Sequence, residues 1–523
     1  MKARSIATDG AANRLRYLAL TNGKPVWDLA QRYAPVREGL NTYLIDHAIR
    51  EMPPRPEPLS TMAPYTSWSS LNDRTYSGRH LPPIDDAETG RPPVKATESL
   101  FTRAGGMIPC RRSTVMLAYF AQWFTDGFLR SDSHVPPDPR KNSSNHSIDL
   151  NQLYGLTDEA TTQLRSHEGG KLKSQSINGG EFPPYLCENG KIKAEFSALG
   201  VVHWNELNKA QRDALFATGS DRGNSQIGFT MLTVLFLREH NRLARLLADE
   251  HPDWDDERLF QTTRNILIVV LLKLVLEEYI NHITPYHFQF KLTPRLSSDV
   301  ADSPWQRQNW ASVEFNLVYR WHSLIPSVLT VGGRELPVTQ TLYAGPMLPK
   351  AGLGRTFEEA SRQGAGQIGL FNTDPSLVPT DLASITRSRQ LRLAPYNAYR
   401  KHLKMRPIHD FRQLSSDPKV YGAVRDMYRS VDDIDLYVGL FAEERGSDVA
   451  ILGPLLTKII AIDAFSQALT NPLVAPRILN KETFTEIGME VIDSTQTLSD
   501  VLHRNVPEDP QPRLVTMTRQ DVQ

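Results

Sequence analysis

The segment VEFNLVYRWHSLIP, residues 313–326, sets the reading of this chain. Tyr319 and His322 lie three positions apart, a spacing that on a helix puts phenol and imidazole on one face with Cβ atoms about 5 to 6 Å apart. Taken alone, the tetrapeptide YRWH is better read as a buried helix with a satisfied Tyr and His. Two other segments frame it: AYFAQWFTDGFLRSD at 118–132 and FLREHNRLARLLADEHPDWDDERLFQTTRNILI at 236–268. The first lies in VMLAYFAQWFTDGFL and the second spans parts of Gly228–Ala248 and Asp256–Ile280, and all three of these stretches hold more apolar positions than a surface helix needs. They read as interior helices, with Asp253 the expected N-cap of the last and acidic residues in its first turn. Strand signals are few, limited to pieces such as Val328–Val338 that could form a hairpin. The fold class is therefore mainly α.

The rest of the chain narrows the chemistry. It has 523 residues and 59.0 kDa, with 40% hydrophobic and 23% charged residues, enough apolar surface for a large core. Lys+Arg and Asp+Glu both total 59, so no basic field favours nucleic acid. The two cysteines, Cys110 and Cys187, have neither disulfide-scaffold nor zinc spacing, which fits a reducing compartment. No secretory signal is visible, so a cytoplasmic protein is expected. The longest apolar run, Ile266–Leu276, is interrupted by Lys273 and is shorter than the roughly 20 residues that cross a bilayer.

Several attractive motifs fail. GAGQIG at 364–369 matches a dinucleotide fingerprint by letter, but it follows a polar, helix-like stretch rather than a buried strand and reads as a glycine-rich loop. The sequons NSS and NHS at 142–147 read as turn chemistry. HExxH, GxSxG and P-loop patterns do not occur, so zinc hydrolase, serine hydrolase and nucleotide chemistry lack an anchor.

Together the three segments resemble the haem peroxidase and cyclooxygenase superfamily. The similarity extends to NHSIDLNQLYGLTDEATTQLR (145–165), GGKLKSQ (169–175), YINHITPYHF (279–288), YNAYRKHL (396–403) and VDDIDLYVGLFAEE (431–444), in order over most of residues 20–505. The YRWH wording is most similar to bacterial cyclooxygenase-like proteins and the dioxygenase domain of fungal linoleate diol synthases. The resemblance implies a single helical catalytic domain at 57–506, preceded by N-terminal helices at 1–56 and followed by a polar tail at 507–523 that reads as frayed. Residues 52–98, rich in proline, read as an extended loop wrapping the core.

The resemblance also assigns roles. His322 becomes the proximal ligand of a haem iron and Tyr319 the residue whose radical takes hydrogen from a fatty acid. Tyr279 matches the tyrosine that partners the radical phenol, Tyr286 one at the channel mouth, and Tyr437 one near the proximal ligand that helps orient it. Trp321 reads as packing. Gln122 matches the family's distal glutamine, whereas the distal histidine position holds Asp126, which puts efficient peroxidase turnover in doubt. Arg222 falls where myeloperoxidase-like members keep a distal arginine. An Asp126–Arg222 pair above the haem is the compensating arrangement expected, with an ordinary surface arginine the alternative.

Further departures concern substrate and cofactor. VREGLNTYLIDHAIREMPP lines up with the membrane-binding helices of cyclooxygenases, but Ala48 stands where those enzymes keep the arginine that grips a carboxylate, and Arg50 would point elsewhere. Ala464 replaces the serine that aspirin acetylates. Thr125 and Ser225 occupy the positions through which relatives ester-link their cofactor, so non-covalent haem b is implied. The calcium loop is only partly recognisable around Asp149 and Gly127 replaces its usual carboxylate, so tight calcium is not expected. The reading is a haem-dependent fatty-acid oxygenase taking an unsaturated fatty acid, O2 and a hydroperoxide activator, with peripheral membrane contact through the N-terminal helices. A haem peroxidase oxidising small reductants and a catalytically degenerate haem-binding protein are the alternatives.

Overall fold

A computed structural model describes residues 10–49, 73, 75–85, 90–132, 137–293, 310–447, 449–509 and 511–520. The core is helical. Val115–Thr125 is buried at every position but one. It packs between the long helix Ile227–Glu250 and Leu353–Arg362. Gly228 permits the first of these contacts, because a Cβ there would fall 2.1 Å from the Tyr119 ring. Ile227–Glu250 in turn packs on Asp256–Leu274, which rests on Lys481–Ser494.

The start of Asp256–Leu274 corrects the expected cap. Asp255, not Asp253, accepts the Arg258 backbone N–H at 2.8 Å, and Asp256 and Glu257 fill the first turn. The helix begins two residues later because the chain turns at His251–Trp254, where the Trp254 N–H bonds back to the His251 carbonyl. At its far end the helix widens into a π-helical stretch, Val275–Ile280, before closing as Asn281–Ile283. Such widened turns recur at functional sites, and this one carries Tyr279.

Strands are short and antiparallel. The expected hairpin pairs Val328–Val331 with Arg334–Pro337. GAGQIG is not a loop throughout: Gly364–Gly366 forms a strand against Pro109–Thr114. A Cβ on Gly366 would fall 2.1 Å from the Ser323 carbonyl oxygen, so glycine lets this strand press on the chain just after His322.

The C-terminal segment is docked rather than frayed. Thr114 N–H bonds to the Met517 carbonyl and Arg519 N–H to the Arg112 carbonyl, while Arg513 pairs with Asp509 and Glu358. Met517 is buried. Polar composition suggested solvent, but backbone pairing and two buried apolar residues, Val515 and Met517, outweigh it.

At the other end, helices Gly10–Thr21, Lys24–Ala30 and Ala34–Ile49 lie against the segment that follows Ile283. Trp27 meets Phe288 at 6.0 Å between ring centroids, and the Asn41 amide donates to the Lys291 carbonyl. Most of the proline-rich stretch at 52–98, and Arg50, lie outside the described residues. Among the described residues no helix is long and apolar enough to cross a membrane.

Candidate active site

The helix expected to run through YRWH stops early. Val313–Val318 starts at Ser312, whose hydroxyl accepts the Phe315 N–H at 3.0 Å, and ends before Tyr319. Tyr319 (φ −89°, ψ 51°) and Trp321 (φ −94°, ψ 49°) are not helical, and a short 3-10 turn begins at His322. The Trp321 indole N–H causes the break by donating to the Val318 carbonyl at 2.7 Å, satisfying the helix end. Trp321 also stacks on Tyr319, with centroids 5.0 Å apart. Its part is therefore more than packing. Tyr319 and His322 are placed by this broken turn and not by a shared helical face.

Behind His322 one carboxylate oxygen holds the imidazole. Its Nδ1–H donates to Asp381 Oδ1 at 2.8 Å, and the Tyr437 hydroxyl donates to the same oxygen at 2.6 Å. Burial and the Asp381 charge hold the Tyr437 phenol well above its ordinary pKa, so it remains a donor. The His322 side chain keeps 21% exposure and its Nε2 has no hydrogen-bond partner among the described residues. Asp381 comes from helix Val378–Gln390, and Tyr437 from helix Leu436–Ala442, which packs against it. Tyr437 reaches His322 through Asp381, a residue the sequence reading missed. Nothing local to VPTDLAS marks it, since the contact spans 59 positions.

A second polar group is formed by Gln122, Asp126, Arg222 and Gln226, and it lies near enough to the His322 turn for Arg222 and Asp126 to act on Arg320. Gln122 is the one exposed residue of its otherwise buried helix. Asp126 follows the helix end in helical conformation, its N–H bonded to the Gln122 carbonyl, so the two residues keep one face. Arg222 donates to Asp126 Oδ1 at 2.9 Å, and the Gln226 amide donates to the Gln122 side-chain oxygen at 3.0 Å. Asp126 raises the Arg222 pKa. Two further guanidiniums share the field. Burial and Arg222 lower Arg320, and burial with Arg320 and Arg222 pushes Arg387 down to about 10.

Tyr279 and Tyr319 face each other, and burial raises both phenols, Tyr279 well above its ordinary value. Tyr286 sits further out beside Tyr17, with ring centroids 6.5 Å apart, and burial pushes its phenol up to about 12. Ala464 is buried in helix Pro454–Leu469, which packs on Val313–Val318. Thr125 hydrogen-bonds the Ala121 carbonyl. The Asp149 carboxylate accepts from Asn145 and Asn151, and the space beside Gly127 is taken by the Gln152 amide, 2.5 Å from where a Cβ would be.

A haem fits this donor set. Asp126 Oδ2, Ser225 Oγ and Asp381 Oδ2 are buried without partners among the described residues. Orphans of this kind cost about 1 to 3 kcal/mol each and are uncommon unless a group is bound nearby. An imidazole with a bare Nε2, a second polar group nearby, and cations with lowered pKa suit an iron porphyrin and its carboxylates.

Residues 107–516 match the family model for animal haem peroxidase. The chain belongs to the animal haem peroxidase family. As a member it is an oxidoreductase of the mainly α haem peroxidase fold. It is 31% identical to prostaglandin G/H synthase 2 of Equus caballus over 509 residues, covering 94% of this chain and 81% of that protein. Against prostaglandin G/H synthase 1 of Canis lupus familiaris it is 31% identical over 506 residues, with the same coverage of 94% and 81%. The crystal structure of Oryza sativa fatty acid alpha-dioxygenase shares the fold, with TM-score 0.70, 18% identity and coverage of 96% and 95%. Peroxidase A from Dictyostelium discoideum is similar too, with TM-score 0.65, 21% identity and coverage of 89% and 98%. The two similar structures are, by name, a fatty acid alpha-dioxygenase and a peroxidase.

Proposed function

We propose that this member of the family is a fatty-acid oxygenase that works through a radical on Tyr319. The observation that carries the reading is the pairing of a bare His322 Nε2 with a buried Tyr319 hydroxyl, set against Tyr279, three residues away. His322 would hold haem b non-covalently, with Arg320 and Arg387 available to its carboxylates, and the group would supply the oxidising capacity when a hydroperoxide reacts. Every other step belongs to the chain.

Tyr319 gives up an electron and a proton and becomes the hydrogen acceptor, with Tyr279 beside its oxygen. The buried, apolar surroundings keep water from quenching the radical. An unsaturated fatty acid then transfers one hydrogen atom to Tyr319. O2 adds to the carbon radical, and the resulting peroxyl radical takes the hydrogen atom back, leaving a hydroperoxide and the Tyr319 radical restored. Asp126, oriented by Arg222, moves the proton between peroxide oxygens that a distal histidine would otherwise carry. Names among the relatives support the substrate class, since both prostaglandin G/H synthases and fatty acid alpha-dioxygenases are among them.

The N-terminal helices support a peripheral contact with lipid. Leu15, Leu18, Val26, Leu29, Tyr33, Val36 and Tyr43 are all exposed there, more apolar surface than solvent favours. This patch adjoins Tyr286, so a fatty acid leaving the bilayer would enter at that end. Ala48 offers no charge, and the carboxylate is then bound by other groups at the mouth.

Oxygen uptake by haemin-reconstituted protein, given linoleic acid and a trace of peroxide, tests the reading. Uptake that disappears in Tyr319→Phe while the haem spectrum stays normal is the expected result. Uptake that persists in Tyr319→Phe removes the radical role, and no uptake in either protein removes linoleate as the substrate.

A further inference from the structure

Asp381 is the best-buried charged group behind His322, with 3% exposure against 21% for the histidine. It lies in the first turn of Val378–Gln390, where the helix dipole favours a negative charge. Its two oxygens are used unequally. Oδ1 accepts from both the His322 Nδ1–H and the Tyr437 hydroxyl, while Oδ2 is buried and has no partner among the described residues. A carboxylate only accepts, so the contact fixes the proton of neutral His322 on Nδ1 and leaves the Nε2 lone pair bare. A charged acceptor at 2.8 Å also draws that proton outward and makes Nε2 more electron-rich than a neutral acceptor would. Tyr437, at 2.6 Å, takes part of the same oxygen's charge.

We propose that Asp381 is the positioning residue of this side of the site, setting both the orientation and the donor strength of His322, and that Tyr437 moderates it by competing for one oxygen. The inference rests on His322 holding the haem, as proposed above. It includes no chemical step; its content is the electron density that reaches the iron. A purely structural Asp381 would be replaced without electronic effect by asparagine, which keeps the acceptor oxygen and removes the charge.

The test uses full-length protein loaded with haemin: wild type, Asp381→Asn, Tyr437→Phe and His322→Gly. Two quantities are read, the iron–histidine stretching frequency of the ferrous form by resonance Raman and the midpoint potential of the ferric/ferrous couple. Asp381→Asn should lower the frequency and shift the potential upward. Tyr437→Phe, which frees Oδ1 for the histidine alone, should move both in the opposite direction and by less. Haem-loaded Asp381→Asn with both quantities unchanged overturns the proposal. If that variant does not fold, Tyr437→Phe decides: an opposite shift supports the proposal and no shift overturns it. His322→Gly keeps the two readings apart, because an iron–histidine band that survives in it overturns the haem-ligand assignment itself, whereas a band lost only there leaves that assignment standing.

Discussion

The two polar groups of the site are built differently. On the His322 side Asp381 holds the imidazole, and Tyr437 holds Asp381. In the second group, Asp126 uses one oxygen on Arg222, and its other oxygen is buried with no partner among the described residues. A metal ligand must hold one geometry, so its supports are in place before the metal arrives. The difference lies in what is held: Asp381 fixes an imidazole ring, as a metal ligand requires, whereas the Asp126–Arg222 pair holds only a carboxylate, as the proposed proton transfer requires.

The largest expected effect breaks this division outright. His322→Ala should abolish retention of haem through gel filtration and with it all oxygen uptake, whereas changes in the second group should leave the haem in place. A variant that keeps its Soret absorbance and full uptake would show that the two sides are wrongly assigned. Next in size is the Asp126–Arg222 pair. Asp126→Asn or Arg222→Gln alone should slow peroxide reduction on the order of 10²-fold, the usual scale for a displaced proton-transfer group. The double variant should be little worse than either single one if the residues act together. Multiplicative losses would mean that the contact at 2.9 Å is incidental to peroxide chemistry.

The same division separates what the sequence could disclose from what it could not. The interior helices were legible because their apolar content is continuous along the chain, and Arg222 could be placed near Asp126 by its offset from LREHN. The break at Tyr319 was not legible, because it depends on one indole reaching back to the Val318 carbonyl, a tertiary detail in a segment whose local pattern favours helix. Asp381 was hidden for a related reason. A single acidic residue in the first turn of a helix ordinarily reads as helix electrostatics, and only the packing of Val378–Gln390 behind the YRWH turn gives it another task. The docked C-terminal segment shows the limit of composition, since backbone pairing has no compositional signature.

The smallest effect concerns stability, and it lies in the helix that carries Tyr279. Glu278 precedes Tyr279 in the π-helical stretch and accepts the Leu498 N–H at 2.7 Å, and burial raises its pKa from 4.5 to about 7. An acid whose folded pKa lies above its unfolded one binds its proton more tightly in the fold. Its contribution is full below about 4.5 and is lost as pH rises toward 7. A shift of this size corresponds to a few kcal/mol, which residual exposure of the side chain reduces to about 2 kcal/mol. Chemical denaturation of wild type beside Glu278→Gln should therefore show the wild type losing ground to the variant between pH 5 and about 7.5, with the gap constant above that range. Glutamine keeps the acceptor for Leu498 and cannot ionise, so a parallel pH dependence in both proteins would place the titration elsewhere. If the gap does open while the iron–histidine frequency stays fixed over the same pH range, the strain lies with the tyrosine-bearing helix and the proximal side is untouched by it.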